Sequence, residues 1–303
     1  MAEALARHGA RAFRLNTDRF PLKLKLTGRF QSAGSRFEVQ DGHDSLRSEE
    51  VSAVWLRRLA RPELSDELDP TFREVCASES TAAIFGLLDA LHGARWIDPL
   101  PRVRESESKL RQLRLAQREG LQVPATLITN DPAEAEEFFK QHRGATVAKL
   151  IHHPPEGLAR SRQFIRTSEV KATDFEDSTA FRHSPALFQE RIAKRSDLRA
   201  IFVDGQFFVA AIDSRDLPEA QLDWRRADPS ECKWTKDNLP DDVARKLTGL
   251  MLALGLSYGA IDLIRTPDNR HVFLEVNSGG EWGMLERDLG YPISTAIAGA
   301  LVR

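Results

Sequence analysis

The sequence runs to 303 residues, 41% hydrophobic and 29% charged, values of an ordinary globular chain that exclude a disordered one. That length exceeds one small core and fits two or three packed subdomains with room for a cleft between them. With 43 basic against 45 acidic residues the formal charge is -2, so no global field favours nucleic acid or an anionic membrane, and any polyanion must be met locally.

Arginine clusters at positions 57–58, 102–118 and 191–199, which read either as solvated helix faces or as phosphate contacts. Cys76 and Cys232 share no motif, so neither a disulfide framework nor a zinc site is supported, and a reducing cytoplasm fits best. Apolar runs such as 247–256 are too short or too interrupted to span a bilayer, and the N-terminus has no signal-peptide core.

The chain opens on a short helix, Ala2 to His8, stopped by Gly9, then a strand-like Ala12 to Leu15 and the turn-prone Asn16-Thr17-Asp18. An alternating α/β domain normally begins with a strand, so the first strand is expected to be missing. Alternating Leu22, Leu24 and Leu26 begin an extended stretch that ends at Ala53-Val54-Trp55. A helix from Thr71 to His92 carries Phe72, Val75, Ile84, Leu87, Leu88 and Leu91 on its apolar face, and Gly93 stops it. Pro99 and Pro101 then mark a boundary that no helix continues through.

The next helix carries Lys109, Leu110, Leu113, Ala116 and Gln117 and ends at Gly120. A strand entered through Pro124 follows, then a helix capped by Asn130-Asp131-Pro132, then a strand from Ala145 to Ile151, making an α+β block up to Leu187. Beyond it the chain turns β-rich. Ala186 to Ile192 is a strand, and Leu198 to Val203 and Gln206 to Ile212 form a hairpin on Asp204-Gly205. A helix from Asp241 to Leu254 precedes a second hairpin, Gly259 to Thr266 with His271 to Asn277, and Met284 to Val302 is helical with a break at Pro292.

That second hairpin holds the most informative chemistry. With Pro267 to Arg270 as a four-residue loop, Thr266 faces His271, Leu263 faces Leu274 and Asp262 faces Glu275. Two carboxylates directly opposed on an antiparallel pair repel. The repulsion is relieved by a wet acidic face, by a raised pKa on one of them, or by a cation. Asn277 points to the same face as Glu275, so the three residues offer an all-oxygen set suited to magnesium or manganese. Gly279-Gly280-Glu281-Trp282-Gly283 reads as a flexible turn where backbone N–H groups meet an anion.

Asp262 on one strand and Glu275-Val276-Asn277 on the next resemble the metal-binding strands of the ATP-grasp superfamily. More narrowly, Trp55-Leu56-Arg57-Arg58, Ser108-Lys109-Leu110-Arg111-Gln112-Leu113, the stretch from Gly120 to Pro132 and that from Leu274 to Gly283 resemble the microviridin-type peptide ligases, also called graspetide synthetases. The resemblance implies an α/β (α+β) ATP-grasp fold. Residues 1–103 would be the N-terminal pre-ATP-grasp domain, 104–187 the central lid-bearing subdomain, and 188–303 a C-terminal antiparallel-sheet subdomain with the metal site.

By the same resemblance Lys109 and Lys149 hold ATP phosphates, whereas on the residues alone they read as a helix-surface and an edge-strand lysine. Gln189, Glu190, Arg191 and Ile192 match the hinge strand that reads adenine, and Asp197 stands near the ribose. Arg199 matches an arginine at the transferred phosphate, and its fixed fork suits developing charge on two oxygens. Asp223-Trp224-Arg225 resembles a segment lining the acceptor side, which makes Arg225 a candidate to orient the substrate carboxylate or simply a surface arginine beside an exposed tryptophan. Residues 151–162 correspond to the phosphate-covering loop, in which His152 and His153 read as loop residues rather than metal ligands.

The implied activity is ATP-dependent ligation. An Asp or Glu side chain of a precursor peptide becomes an acyl phosphate, which a Thr or Ser hydroxyl or a Lys amine of the same peptide attacks. ATP and Mg2+ or Mn2+ are the implied cofactors, and a precursor peptide with a leader segment is the partner. The resemblance is compatible with a homodimer, and neither nucleic acid nor membrane is expected. The rivals are an amino-acid ligase of the glutathione-synthetase kind, a kinase on the same scaffold and a non-catalytic nucleotide-binding protein.

Overall fold

A helical turn and a half, α1 (Ala2–Arg7), precedes an antiparallel meander of β1 (Leu24–Gln31), β2 (Gly34–Asp41) and β3 (Asp44–Arg47). The computed structural model describes residues 1–32, 34–151, 167–213, 222, 224 and 232–303. By their contacts they form two compact units, Met1–Pro99 with Ser294–Arg303, and Leu100–Ile293.

In the first unit Leu24, Phe37 and Val39 of the meander close on Leu87 of α2 (Arg73–Ala90), while β4 (Ala53–Trp55) and β5 (Arg95–Ile97) pair in parallel. Two expectations fail here. Residues 12–15 form no strand, and Phe13 and Leu15 instead pack as single side chains against the meander core. Phe72 and Val75 stand 54% and 58% exposed, because the buried stripe of α2 starts only at Ser80 and continues through Ile84, Leu87 and Leu88. Truncating Leu87 to Ala should therefore cost about 2–5 kcal/mol in urea unfolding, and Val75→Ser less than about 0.5 kcal/mol.

The second unit begins with α3 (Leu100–Ser106), so the proline-rich boundary starts a helix as well as ending a strand. Pro101 lies in its first turn, where the missing N–H has no helical partner to lose. The Ser108 side chain then caps α4 (Lys109–Arg118), accepting from Arg111 N–H at 3.3 Å, and Asp131 caps α5 (Pro132–Gln141), accepting from Ala133 N–H at 2.9 Å. A four-stranded antiparallel sheet combines β6 (Thr126–Thr129), β7 (Thr146–Lys149), β8 (Ser168–Glu169) and β9 (Ala186–Glu190) in the order β6-β9-β7-β8. Ala135 of α5 packs with Phe188 of β9 and Val170.

After β9 the chain leaves the ladder and enters a five-stranded antiparallel sheet of β10 (Ser196–Val203), β11 (Gln206–Ile212), β12 (Trp234–Asp237), β13 (Tyr258–Arg265) and β14 (His271–Asn277). Its order is β12-β11-β10-β13-β14, which puts β14 on the edge. The expected Asp204-Gly205 turn forms, with φ of 45° and 92° at its two residues, the left-handed pair that such hairpins require. The polar strand β12 has no counterpart in the sequence-based expectation. One face of the sheet is covered by α4 and α6 (Asp241–Leu254), whose Leu247, Leu250, Met251 and Leu254 meet Leu198, Ala200, Phe202, Leu263 and Phe273. Gly290, at φ 66°, ends α7 (Gly283–Leu289) before α8 (Ile293–Val302).

Arg265 knots the loop end of the last hairpin. Its guanidinium donates two bonds to Asp237, each 2.8 Å, and Nε approaches His271 Nε2 at 3.4 Å, an acceptor only while the ring is neutral. Burial and then the Arg265 charge hold His271 below its usual 6.5. The unfolded chain therefore gains a proton before the folded one does, and stability is lost as pH falls below about 6.5. A His271→Gln variant should flatten that part of the profile of unfolding midpoint against pH.

Candidate functional site

On the sheet face opposite the helices, Arg199, Asp262 and Glu275 occupy directly opposed positions on β10, β13 and β14. The expected opposition of the two carboxylates holds, but the register that produces it differs. Arg265, not Thr266, pairs with His271, and the Thr266 N–H bonds to Arg270 O at 2.9 Å, so the loop is one residue longer than expected. That shift alone would slide Asp262 opposite Leu274. A bulge between Asp262 and Leu263 absorbs the extra residue, so Leu263 pairs with Phe273 instead of Leu274 and Asp262 returns to Glu275.

The carboxylates are flanked by the protein's own cations. Arg199 Nη1 donates to Asp262 Oδ1 at 2.9 Å and Oδ2 at 3.2 Å, with side chains only 5% and 8% exposed. Lys109 Nζ, delivered by the first turn of α4, lies 3.6 Å from Glu275 Oε2 and donates to Leu150 O at 2.8 Å. The row thus reads plus, minus, minus, plus, and the like-charge repulsion is offset on both sides. Arg199 also reaches Glu281 O through Nη2 at 3.2 Å, and the Tyr258 hydroxyl donates to Gly280 O at 2.6 Å. The glycine turn expected to be flexible is therefore pinned to the row. A Cβ on Gly280 would fall 2.3 Å from Ala260 Cβ and 3.0 Å from Arg199 Nη2, so the close approach requires glycine.

Asn277 pairs with Ala260 two residues beyond Glu275, and its Oδ1 accepts from Gly279 N–H at 3.0 Å. Among the described residues no three His, Cys, Asp or Glu side chains gather as a metal-binding group. The oxygen set here has two carboxylates and one amide. A formally neutral row fits a divalent ion best when nucleotide phosphates bring further negative charge, the way magnesium is usually held. Arg199 Nε is buried with no hydrogen-bond partner among the described residues, an idle donor that an anionic oxygen would fill.

The remaining candidates lie on the neighbouring sheet and on the chain that follows it. Lys149 Nζ donates to Gln189 Oε1 at 2.7 Å, and Gln189 passes the contact on to Thr126 Oγ1 at 3.0 Å. Glu190 ends β9, its N–H bonded to Ala125 O at 2.9 Å, and Arg191 N–H donates to Ala145 O at 2.8 Å before Ile192 leaves the ladder. Asp197 shares the face of Arg199, and Lys194 holds its carboxylate at 2.8 Å in a buried ion pair that no sequence signal suggested. A cavity of about 620 Å3 opens beside Glu190, Arg191 and Ile192 but includes none of Arg199, Asp262 and Glu275. Arg225, Asp223, His152, His153 and most of the 151–162 loop lie outside the described residues. Trp224 stands edge-on to Trp234 with ring centroids 5.0 Å apart.

Residues 1–104 match the MvdD pre-ATP grasp domain, and residues 106–301 match the RimK-like ATP-grasp domain. The chain belongs to the ATP-grasp family. Within it the likeness is to the microviridin-type ligases. The macrocyclase MdnB of Microcystis aeruginosa MRC is 45% identical over 99% of this chain and 93% of its own, with a TM-score of 0.84. MdnC from the same organism, solved with precursor peptide MdnA, is 35% identical over 99% and 94%, with a TM-score of 0.88. A Chryseobacterium gregarium RiPP-associated ATP-grasp ligase, solved with ADP and a leader and core peptide, is 29% identical over 99% and 91%, with a TM-score of 0.89. No curated protein matches the chain by sequence. The ATP-grasp assignment agrees with the sheet pair described above, since the charged row and the sheet that ends at Glu190 are both carried by the residues of the second match.

Replacing Arg199 with Met strips the buried Asp262 of its guanidinium partner and should cost about 3–5 kcal/mol in denaturant unfolding. The Arg199→Met/Asp262→Asn pair should recover part of that loss, and a double-mutant cycle measures the coupling.

Proposed function

We propose that this ATP-grasp protein joins Asp or Glu side chains of a ribosomal precursor peptide to Thr or Ser hydroxyls, or to Lys amines, of the same peptide. The observation that carries the reading is the row of Arg199, Asp262, Glu275 and Lys109, with two acids facing the site and a cation at each end. Precursor peptides are bound in the MdnC and Chryseobacterium structures, which supports a peptide with a leader as substrate here.

In the first step a carboxylate oxygen of the peptide bonds to the γ-phosphorus of ATP, the bond from that phosphorus to the β–γ bridging oxygen breaks, and ADP leaves. In the second the hydroxyl or amine bonds to the acyl carbon, phosphate departs with the electron pair, and the nucleophile's proton is released. Magnesium or manganese on Asp262, Glu275 and Asn277 supplies charge neutralisation at the phosphates. Lys149 and Lys109 hold phosphate oxygens, and Arg199 presents its buried fork to the transferred group, which its pinning to Asp262 and Glu281 orients in advance. Gln189 to Ile192 read the adenine edge, Asp197 lies toward the ribose, and Arg225 orients the substrate carboxylate. No enzyme nucleophile is required.

No helix among the described residues is long and apolar enough to cross a membrane. A cytoplasmic setting and a homodimer belong to the proposal and are open to fractionation and light scattering. Mass spectrometry of the peptide decides the reaction class. A cross-link lowers the mass by one water per bond with one ADP released, a tailing ligase adds a residue mass, and a kinase leaves a stable phosphorylated product. Glu275→Gln should lower peptide-dependent ADP release about 100-fold or more, since each ~1.4 kcal/mol of lost stabilisation is tenfold. Unchanged turnover in that variant would sink the metal assignment.

A further inference from the structure

The edge strand β14 carries two of the three proposed ligands, Glu275 and Asn277, on its site face, with Val276 between them turned into the core. In an antiparallel strand successive residues direct their backbone groups to opposite sides, so those of Val276 point away from β13. Beyond β14 the sheet has no further strand. A side chain fills the place instead. Gln112, 2% exposed on α4, accepts from Val276 N–H through Oε1 at 2.8 Å and donates to Val276 O through Nε2 at 2.8 Å. Its second Nε2 proton reaches Ser106 O at 2.6 Å, so the amide plane is fixed from both ends.

We propose that Gln112 is a positioning residue for the divalent cation, setting the orientation of the two peptide units that join Val276 to Glu275 and to Asn277; this rests on the metal assignment above. The bulge beside Asp262 supplies the reason that such a clamp is needed. It interrupts the ladder just before Glu275, so the segment from Glu275 to Asn277 is tied to β13 on one side only. Upstream of the bulge the outer edge is held differently, by Phe273 N–H donating to Gln122 O at 2.8 Å. Gln112 alone among the described side chains bonds both backbone groups of Val276. One helical turn earlier on the same face Lys109 stands against the Glu275 carboxylate, so α4 fixes both the backbone and the charge of that ligand. Productive ligand geometry tolerates about 0.5 Å, a displacement that a loosened edge strand exceeds readily.

The test is Mn2+ binding to the full chain with ADP, followed by electron paramagnetic resonance of the free ion, in Gln112→Met and in Gln112→Asn, which keeps the amide but shortens its reach. Leu115→Val, a core truncation on the same helix, serves as the stability control, with thermal midpoints measured for all. Mn2+ affinity should fall about 10- to 100-fold in both Gln112 variants, the usual effect of losing a group that orients a ligand, while ADP affinity without metal stays level. Turnover of the Gln112 variants should be restored by excess Mg2+. Equal loss of Mn2+ affinity in Leu115→Val at a matched midpoint, or none in the Gln112 variants, overturns the role. Glu275→Gln separates the two levels: if it binds Mn2+ as the wild type does, the metal assignment itself has failed, and if it does not, only the role of Gln112 is at issue.

Discussion

Everything at this site depends on placing two carboxylates side by side in a sheet without letting their repulsion unfold it. The protein answers with geometry rather than with solvent. Arg199 is opposed to Asp262 across one strand boundary, and Lys109 arrives at Glu275 from a helix on the open edge, so each negative charge has a positive neighbour of its own. A buried pair of this kind contributes little net stability once its desolvation is counted, so its retention is better understood as holding an arrangement than as strengthening a fold. Arg199 still keeps an idle Nε donor among the described residues, a direction in which an anionic oxygen can be met.

The same row also links the two sheets of the second unit. Lys109 donates to Leu150 O, just past β7, while facing Glu275 on β14. Lys149, on β7, is held by Gln189 on β9, the residue before the end of that strand. Lys109, Lys149 and Gln189 are thus joined to the two sheets through side chains whose own partners limit their rotamers.

Much of this was legible in the sequence because the relevant spacings are short. The Asp204-Gly205 hairpin, the cap at Asp131 and the Glu275-Val276-Asn277 alternation are all local patterns with a direct physical cause. What escaped was set by tertiary partners. Phe72 and Val75 share a helical period with Leu87, yet periodicity does not say where along a helix the neighbouring sheet stops. Residues 12–15 look like a strand but find no strand to pair with, and β12, with its polar Trp234-Thr235-Lys236-Asp237, is a strand only because β11 offers it an edge. Gln112 carried no reading of its own beyond its place in the stretch from Ser108 to Leu113. Only the fold shows that its amide substitutes for a missing strand.

The bulge beside Asp262 has a bearing on how relatives of this chain should be compared. A longer loop and an extra residue in one strand cancel, so the distance from the tip to the acids is not a reliable ruler. A residue added to the loop of such a hairpin can be offset by one added to a strand, with the carboxylates left face to face. Alignment anchored on the Glu-x-Asn triplet will keep equivalent groups together where alignment anchored on the tip would slide them past one another.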